Sequence, residues 1–183
     1  MISTRQISII AVMTATCVAT NYLLVGVVNV KFMDLIIFVS GLTFGAVVGS
    51  SIGALTWLVY GTINPYGFSL PILVATCLSE MIYGLAGGVL GHLGFSGNDN
   101  PDQIQMLTDG FKFAFIGFLL TVIYDLITNI ASALSLGLPI IAVLIAGILF
   151  ALLHEVSNAF FFFFGVVPLV TIIKKVFHLT RNR

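Results

Sequence analysis

The chain has 183 residues, of which 59% are hydrophobic and 8% are charged, and its formal net charge is zero. Soluble globular domains carry about 25% charged residues, so this chain cannot cover a folded surface with polar groups. The composition therefore predicts an all-α integral membrane protein that forms a single membrane domain over residues 1–183. It argues against nucleic acid as a partner, because no basic patch is present.

Five apolar stretches follow one another along the chain, at about 6–27, 32–62, 69–93, 107–135 and 138–173. A helix needs about 20 apolar residues to cross a hydrocarbon core of about 30 Å. The second stretch is long enough for two short spans that turn near "GAVVGSS". The pattern predicts a compact bundle of six transmembrane helices, or seven if the last stretch divides into two segments rather than forming one bent span.

The basic residues cluster on one side of a six-span arrangement. Cytoplasmic loops collect Lys and Arg. Six spans place the following residues on the same side: Arg5, Lys112, Lys174, Lys175, Arg181 and Arg183. Only Lys31 then lies on the other side. The bias predicts a multi-pass protein of the cell membrane with both termini in the cytoplasm and a polar cytoplasmic loop at about residues 95–107.

Small residues recur every fourth position in two predicted helices. The positions are Ala11, Ala15 and Ala19 in the first helix, and Gly45, Gly49 and Gly53 in the third. Residues four apart share one helix face, and small side chains let helix backbones approach in lipid. We expect the glycines to pack inside the bundle. The alanines favour a docking surface for another membrane subunit, with internal packing as the alternative.

Several polar side chains fall where membrane-spanning helices are predicted. They are Glu80, Asp125, Asn129, His154 and Glu155, with Asn158 close behind. An aspartate at the centre of a spanning helix costs about 2.5–3.5 kcal/mol, so such residues are functional candidates. Asp125 and Asn129 share one face, and His154 and Asn158 share another. The two faces either meet as a structural clamp, with Asp125 paired to His154, or line a cavity for a polar ligand. Glu80, with Tyr83 one turn later, suits a ligand pocket.

A second polar and aromatic group lies at the predicted outer helix ends. Its first part, in loop one, is Asn29, Lys31 and Asp34, and its second part is Trp57, Tyr60, Asn64 and Tyr66. Trp57, Tyr60 and Asn64 are three and four residues apart, and Pro65 and Gly67 end the helix after them. Such aromatics either form an interfacial belt or the rim of a pocket, where flat rings stack on a heterocycle and amides orient it.

No enzyme motif is present in the sequence. There is no catalytic constellation, no phosphate-binding loop and no metal-ligand spacing, so we expect no catalytic residue, metal or cofactor. Cys17 and Cys77 lie far apart in apolar runs and are expected to be small packing residues. Without an ATP-binding motif the chain cannot power transport by itself.

The chain resembles the substrate-binding S components of energy-coupling factor (ECF) transporters, which import vitamins and related micronutrients. The resemblance rests on chain size, six predicted helices, the Ala11-x-x-x-Ala15 stripe, the segment "LIIFVSGLTFGAVVGSSIGALTWLVYGTINPYG" and the closing helix "AGILFALLHEVSNAFFFFFGVVPLV". It implies that the protein captures a small nutrient from outside and docks on a transmembrane coupling subunit carried by two cytoplasmic ATPases. The resemblance places Ala11 and Ala15 on the docking face, and Ala19 extends that stripe.

A second hypothesis remains from the residues alone. The chain would then be a standalone proton-coupled transporter or an intramembrane enzyme. "YDLITN" (124–129) and "HEVSN" (154–158) would form its proton relay or catalytic set.

Overall fold

The computed structural model describes residues 2–65, 67–95 and 102–177, which contain six helices and no strand. The helices are α1 (Thr4–Leu23), α2 (Met33–Phe44), α3 (Ala46–Ile63), α4 (Leu70–His92), α5 (Gln103–Leu136) and α6 (Ile140–Val176). All except α2 are long and apolar enough to cross a membrane, and α2 is a shorter apolar helix of 12 residues. The division of the second apolar stretch is thus confirmed, and the last stretch is one continuous helix.

Local signals in the sequence explain where the helices begin and end. Ser3 and Gln6 form a capping box at the start of α1, and the Asp102 side chain accepts a hydrogen bond from the first turn of α5. These bonds satisfy backbone N–H groups that have no partner within the helix. Gly45 separates α2 from α3 with φ of 97°, a conformation that only glycine adopts without strain. Gly137, also left-handed, ends α5.

Helix direction alternates along the chain, which gives the bundle two ends. At one end the Tyr22 hydroxyl, near the end of α1, donates to the carbonyl of Ile63, the last residue of α3. At the other end the Arg5 guanidinium, near the start of α1, donates to the carbonyl of Phe177 after α6. We term these the loop 1 end, where loop 1 is residues 24–32, and the terminal end.

Glycines bring the backbones of α2, α3 and α4 into direct contact. A Cβ atom on Gly49 would lie 2.6 Å from Cα of Gly41 and 2.8 Å from Cα of Gly84. One on Gly53 would lie 2.8 Å from the carbonyl oxygen of Glu80. Real Cβ atoms do not approach so closely, so these positions admit only glycine without a backbone shift. The expected packing inside the bundle is confirmed for Gly49 and Gly53, whereas Gly45 precedes α3 and an added Cβ there would meet no atom within 4 Å.

The alanine stripe of α1 lies on the opposite face from its packed residues. Ile10, Thr14, Cys17 and Asn21 are the buried positions at helical spacing, and they face α2 and α3. The stripe residues Ala11, Ala15 and Ala19 are all exposed. Internal packing of the stripe within this chain is therefore wrong, and the surface is available to a partner or to lipid.

The α5–α6 hairpin extends beyond the rest of the bundle at the loop 1 end. Loop 1 meets α5 at Tyr124, through Lys31, and meets α6 at Phe150, through Asn29. About ten residues of each helix continue past that level, a rise of roughly 15 Å. Their exposed side chains include the large apolar residues Leu134, Leu136, Ile141 and Leu149.

The polar loop at the terminal end is shorter than the sequence indicated. We expected it at about residues 95–107, but α5 already begins at Gln103. Its first turn is stabilised by the Asp102 cap, which the apolar pattern alone does not reveal. Residues 96–101 lie outside the described part of the chain.

Candidate functional site

A buried histidine bridges two carboxylates from two other helices. His154 Nδ1 of α6 lies 3.0 Å from Asp125 Oδ1 of α5, and its Nε2 lies 2.8 Å from Asp34 Oδ2 of α2. Asp34 and His154 are fully buried and Asp125 is 7% exposed. Because both ring nitrogens face acceptor oxygens, either the imidazole carries two protons or one carboxyl group is protonated. The Asp125–His154 pair suggested by the sequence is present, and α2 adds a third member.

Asn158 extends this group on the same face of α6. Its Nδ2 donates to Asp34 Oδ2 at 2.6 Å and to Thr121 Oγ1 at 2.8 Å. Thr121 also accepts a 2.8 Å hydrogen bond from the Tyr83 hydroxyl of α4. The amide and the two hydroxyls thus link α4, α5 and α6 to the aspartate of α2.

Glu80 of α4 forms the other half of the buried cluster. The indole Nε1 of Trp57 donates to Glu80 Oε2 at 3.0 Å, which joins α3 to α4. Glu80 is fully buried near Asp34, and no hydrogen bond joins the two carboxyl groups. A buried polar cluster therefore runs from Trp57 through Glu80 and Asp34 to His154. We term it the acidic cluster, and its members are Asp34, Trp57, Glu80, Tyr83, Thr121, Asp125, His154 and Asn158.

Lys31 of loop 1 covers the acidic cluster from the loop 1 end. Its ammonium lies 3.4 Å from the Tyr124 hydroxyl, 4.6 Å from the Tyr124 ring centroid and 5.2 Å from the Trp57 ring centroid. The two rings are stacked with centroids 6.3 Å apart. Positive charge over an aromatic face is attracted by the ring quadrupole. The ammonium therefore closes the gap between two rings that stand next to buried carboxylates.

The acidic cluster has more acceptors than donors. Four buried oxygens accept no hydrogen bond from the described residues, namely Asp34 Oδ1, Glu80 Oε1, Asp125 Oδ2 and Asn158 Oδ1. A buried polar atom without a partner costs about 1–3 kcal/mol. Donors or positive charge would satisfy all four atoms, whereas a further acceptor would not.

Two cavities at the loop 1 end share a wall made by Trp57 and Tyr60. The first, of about 380 Å³, lies between the end of α3 and the start of α4 and is also bordered by Asn64, Phe68, Leu73 and Thr76. The second, of about 360 Å³, lies under loop 1 and is also bordered by Asn21, Asn29, Lys31 and Phe150. Both volumes are within the range of about 300–1,000 Å³ that is usual for small-molecule sites.

The residues proposed from the sequence separate into two adjoining groups. Trp57, Tyr60 and Asn64 border the first cavity, and Asn29 and Lys31 border the second. Glu80, Tyr83, Asp125, His154 and Asn158 lie in the acidic cluster below them. Trp57 is the residue that belongs to both groups.

One proposed residue, Asn129, is not brought into these groups. Asn129 donates to the backbone carbonyl of Asp125, one turn earlier in its own helix, rather than to a side chain of the acidic cluster. Asn129 lies one turn after Asp125, on the part of α5 that extends past loop 1. Tyr66 lies outside the described residues.

Sequence reasoning missed Asp34, Thr121 and Tyr124 as site residues. Asp34 was grouped with loop 1, yet it lies in the first turn of α2 and beside both halves of the cluster. Asp34 and His154 are 120 residues apart in the sequence, so no local spacing indicates that they meet. Tyr124 could have been found, because it adjoins Asp125 and a phenol in a spanning helix is itself unusual.

Among the described residues, no group of three or more His, Cys, Asp or Glu side chains has the geometry to hold a metal ion. Comparisons with protein-family models, with curated proteins and with solved structures found no match.

Proposed function

We propose that this chain is a multi-pass protein of the cell membrane that binds a small nutrient at its loop 1 end. The five long apolar helices and their exposed apolar side chains support a lipid environment. Loop 1 carries Lys31, whereas the other basic residues that the structure describes lie towards the terminal end, namely Arg5, Lys112, Lys174 and Lys175. By the distribution of Lys and Arg, the loop 1 end faces outside and both termini are cytoplasmic.

One observation carries the binding function: two cavities share the Trp57–Tyr60 wall directly above a buried acidic cluster. Binding sites are typically apolar and aromatic, with a few polar groups that fix orientation. Burying three carboxylates among apolar helices is costly. A purely structural contact does not need four unpartnered acceptor oxygens, whereas a site for a polar ligand uses them.

We further propose that the protein works as the S component of an ECF-type importer, as its sequence resemblance implies. The ligand would be a vitamin or related precursor, and the partners a transmembrane coupling subunit and two cytoplasmic ATPases. The exposed stripe of Ala11, Ala15 and Ala19 supports a docking face, because small residues let another helix approach closely.

The test is ligand binding by the purified chain without ATPase partners. Its thermal unfolding midpoint in detergent is measured against a panel of vitamins and their precursors. Stabilisation by one compound, weakened by Glu80→Gln, is the expected result. No stabilisation by any member of the panel would contradict the binding function.

A standalone proton-coupled transporter is the second candidate, and the Asp34–His154–Asp125 chain favours it. Carboxylate and imidazole groups in contact at membrane depth are the usual components of a proton relay. Substrate uptake by the lone chain in liposomes, driven by a pH gradient and lost in His154→Gln, would support this candidate. An intramembrane enzyme would instead show turnover of a substrate without a gradient.

A further inference from the structure

The position of Lys31 shows which kind of ligand group the site can accommodate. Its ammonium lies against the faces of Trp57 and Tyr124 at the mouth of the acidic cluster. It comes from a loop rather than a helix, it is only half-buried, and it borders the cavity under loop 1. The protein thus holds a positive charge of its own at the boundary between a cavity and the buried carboxylates.

The unpartnered acceptors of the acidic cluster favour a cation over an anion at the place of the Lys31 ammonium. Three carboxyl groups (Asp34, Glu80 and Asp125) face two groups that can be cationic, Lys31 and His154. Glu80 Oε1 is fully buried and has no hydrogen-bond partner among the described residues. A cation that replaced the Lys31 ammonium would leave the total charge unchanged. An anion there would bring a further acceptor to buried carboxyl oxygens that already lack a hydrogen-bond donor.

The surroundings also suit the rest of such a ligand. Leu24, Val28 and Phe150 line the cavity beside Lys31, and the shared aromatic wall continues it towards the first cavity. An apolar or aromatic body can occupy this space while its charged group reaches the gap between the two rings. Aromatic faces with a nearby carboxylate are a common way to bind organic ammonium groups.

We propose that the ligand of this site carries a positively charged nitrogen, and that Lys31 is a tethered competitor that the ligand displaces from Trp57 and Tyr124. This inference rests on the binding function proposed above and names the class of its ligand. Displaced from the rings, the Lys31 ammonium returns to water at the loop 1 end, where its charge is solvated.

The test uses the single tryptophan of the sequence as a probe inside the site. Trp57 fluorescence is titrated with choline and with its neutral isostere, 3,3-dimethylbutan-1-ol. The proteins compared are the wild type, Lys31→Met and Glu80→Gln. Lys112→Met is the matched control, because it removes an exposed lysine whose ion pair with Asp109 lies at the terminal end. Thermal unfolding checks that each variant is folded.

Choline is expected to give a saturable fluorescence change, with the isostere weaker by about tenfold or more. Lys31→Met should tighten choline binding by about fivefold or more, Glu80→Gln should weaken it, and Lys112→Met should leave it unchanged. The inference is overturned if choline and the isostere bind equally, or if choline binds Lys31→Met more weakly than the wild type. It is also overturned if neither the wild type nor Lys31→Met shows a saturable fluorescence change. If a neutral or anionic vitamin still raised the thermal unfolding midpoint of the wild type, the proposed binding function would stand although this inference had failed.

Discussion

The indole nitrogen of Trp57 and the carboxylate of Glu80 are joined by a 3.0 Å hydrogen bond between α3 and α4. The ring end of this pair borders both cavities, and the carboxylate end is fully buried in the acidic cluster. The pair therefore connects the surface that a ligand reaches to the charges below it.

Removing either partner of this pair is expected to cost stability and ligand binding together. Trp57→Phe leaves Glu80 Oε2 without its donor, and a buried acceptor without a partner costs about 1–3 kcal/mol of unfolding free energy. A double-mutant cycle with Glu80→Met, which removes the acceptor, should give a coupling energy of about 0.5–3 kcal/mol by denaturant unfolding in mixed micelles. Additive effects would show that the bond contributes nothing to stability.

His154→Ala should be among the most destabilising single changes in the chain. It leaves Asp34 and Asp125 without the group that bridges them, and breaking a buried ion pair costs about 3–5 kcal/mol. The neighbouring Glu155→Gln is the control, because Glu155 is only half-buried and has no hydrogen bond to the acidic cluster. Similar unfolding midpoints for the two variants would contradict a bridging role.

Gly84→Ala should disrupt the contact between α3 and α4. An added Cβ atom would overlap the backbone of Gly49 and Ser50, and overpacking of a close contact costs about 1–3 kcal/mol or more. Gly26→Ala is the matched control, because no atom lies within 4 Å of its added Cβ. A midpoint for Gly84→Ala equal to that of the control would mean that the helices separate without cost.

Bulk on the alanine stripe should affect transport but not binding. Ala11→Leu with Ala15→Leu adds side chains to an exposed face, so folding and ligand affinity should be unchanged. Uptake in cells that contain the coupling subunit and ATPases should fall. Ala142→Leu, at an exposed alanine of α6, should leave uptake intact. A loss of ligand affinity in the double variant would contradict a docking role.

Cysteine labelling can establish the orientation in the membrane. In a Cys77→Ala background the remaining Cys17 is fully buried. Val27→Cys, at an exposed position of loop 1, should react with a membrane-impermeant maleimide in intact cells. Gln105→Cys, exposed near the start of α5, should react only after permeabilisation. The reverse pattern would place the acidic cluster nearer the cytoplasm and contradict capture from outside.

The helices were largely predictable because their signals are local. Apolar length, the glycine turn at Gly45 and the end of α3 before Pro65 each depend on a few adjacent residues. The internal contacts of Gly49 and Gly53 were also predictable, because glycines four residues apart let helix backbones approach closely in lipid. The start of α5 was placed too late because its cap lies in a polar segment without apolar periodicity.

The composition of the acidic cluster was only partly predictable. Pairs within one helix, such as His154 with Asn158, follow from spacing. Contacts between helices distant in sequence do not, and the meeting of Asp34 with His154 depends on how α2 packs against α6. The same limit applies to Lys31, whose contact with Tyr124 depends on the course of loop 1.

The shortness of α2 bears on how the protein enters the membrane during its synthesis. Twelve residues give a rise of about 18 Å, which is less than the roughly 30 Å hydrocarbon core. The helix also carries Asp34, so on its own it is a poor substrate for the insertion machinery. We expect α2 and α3 to leave the translocon as one helical hairpin. Asp34 can then contact His154 only after α6 has been translated.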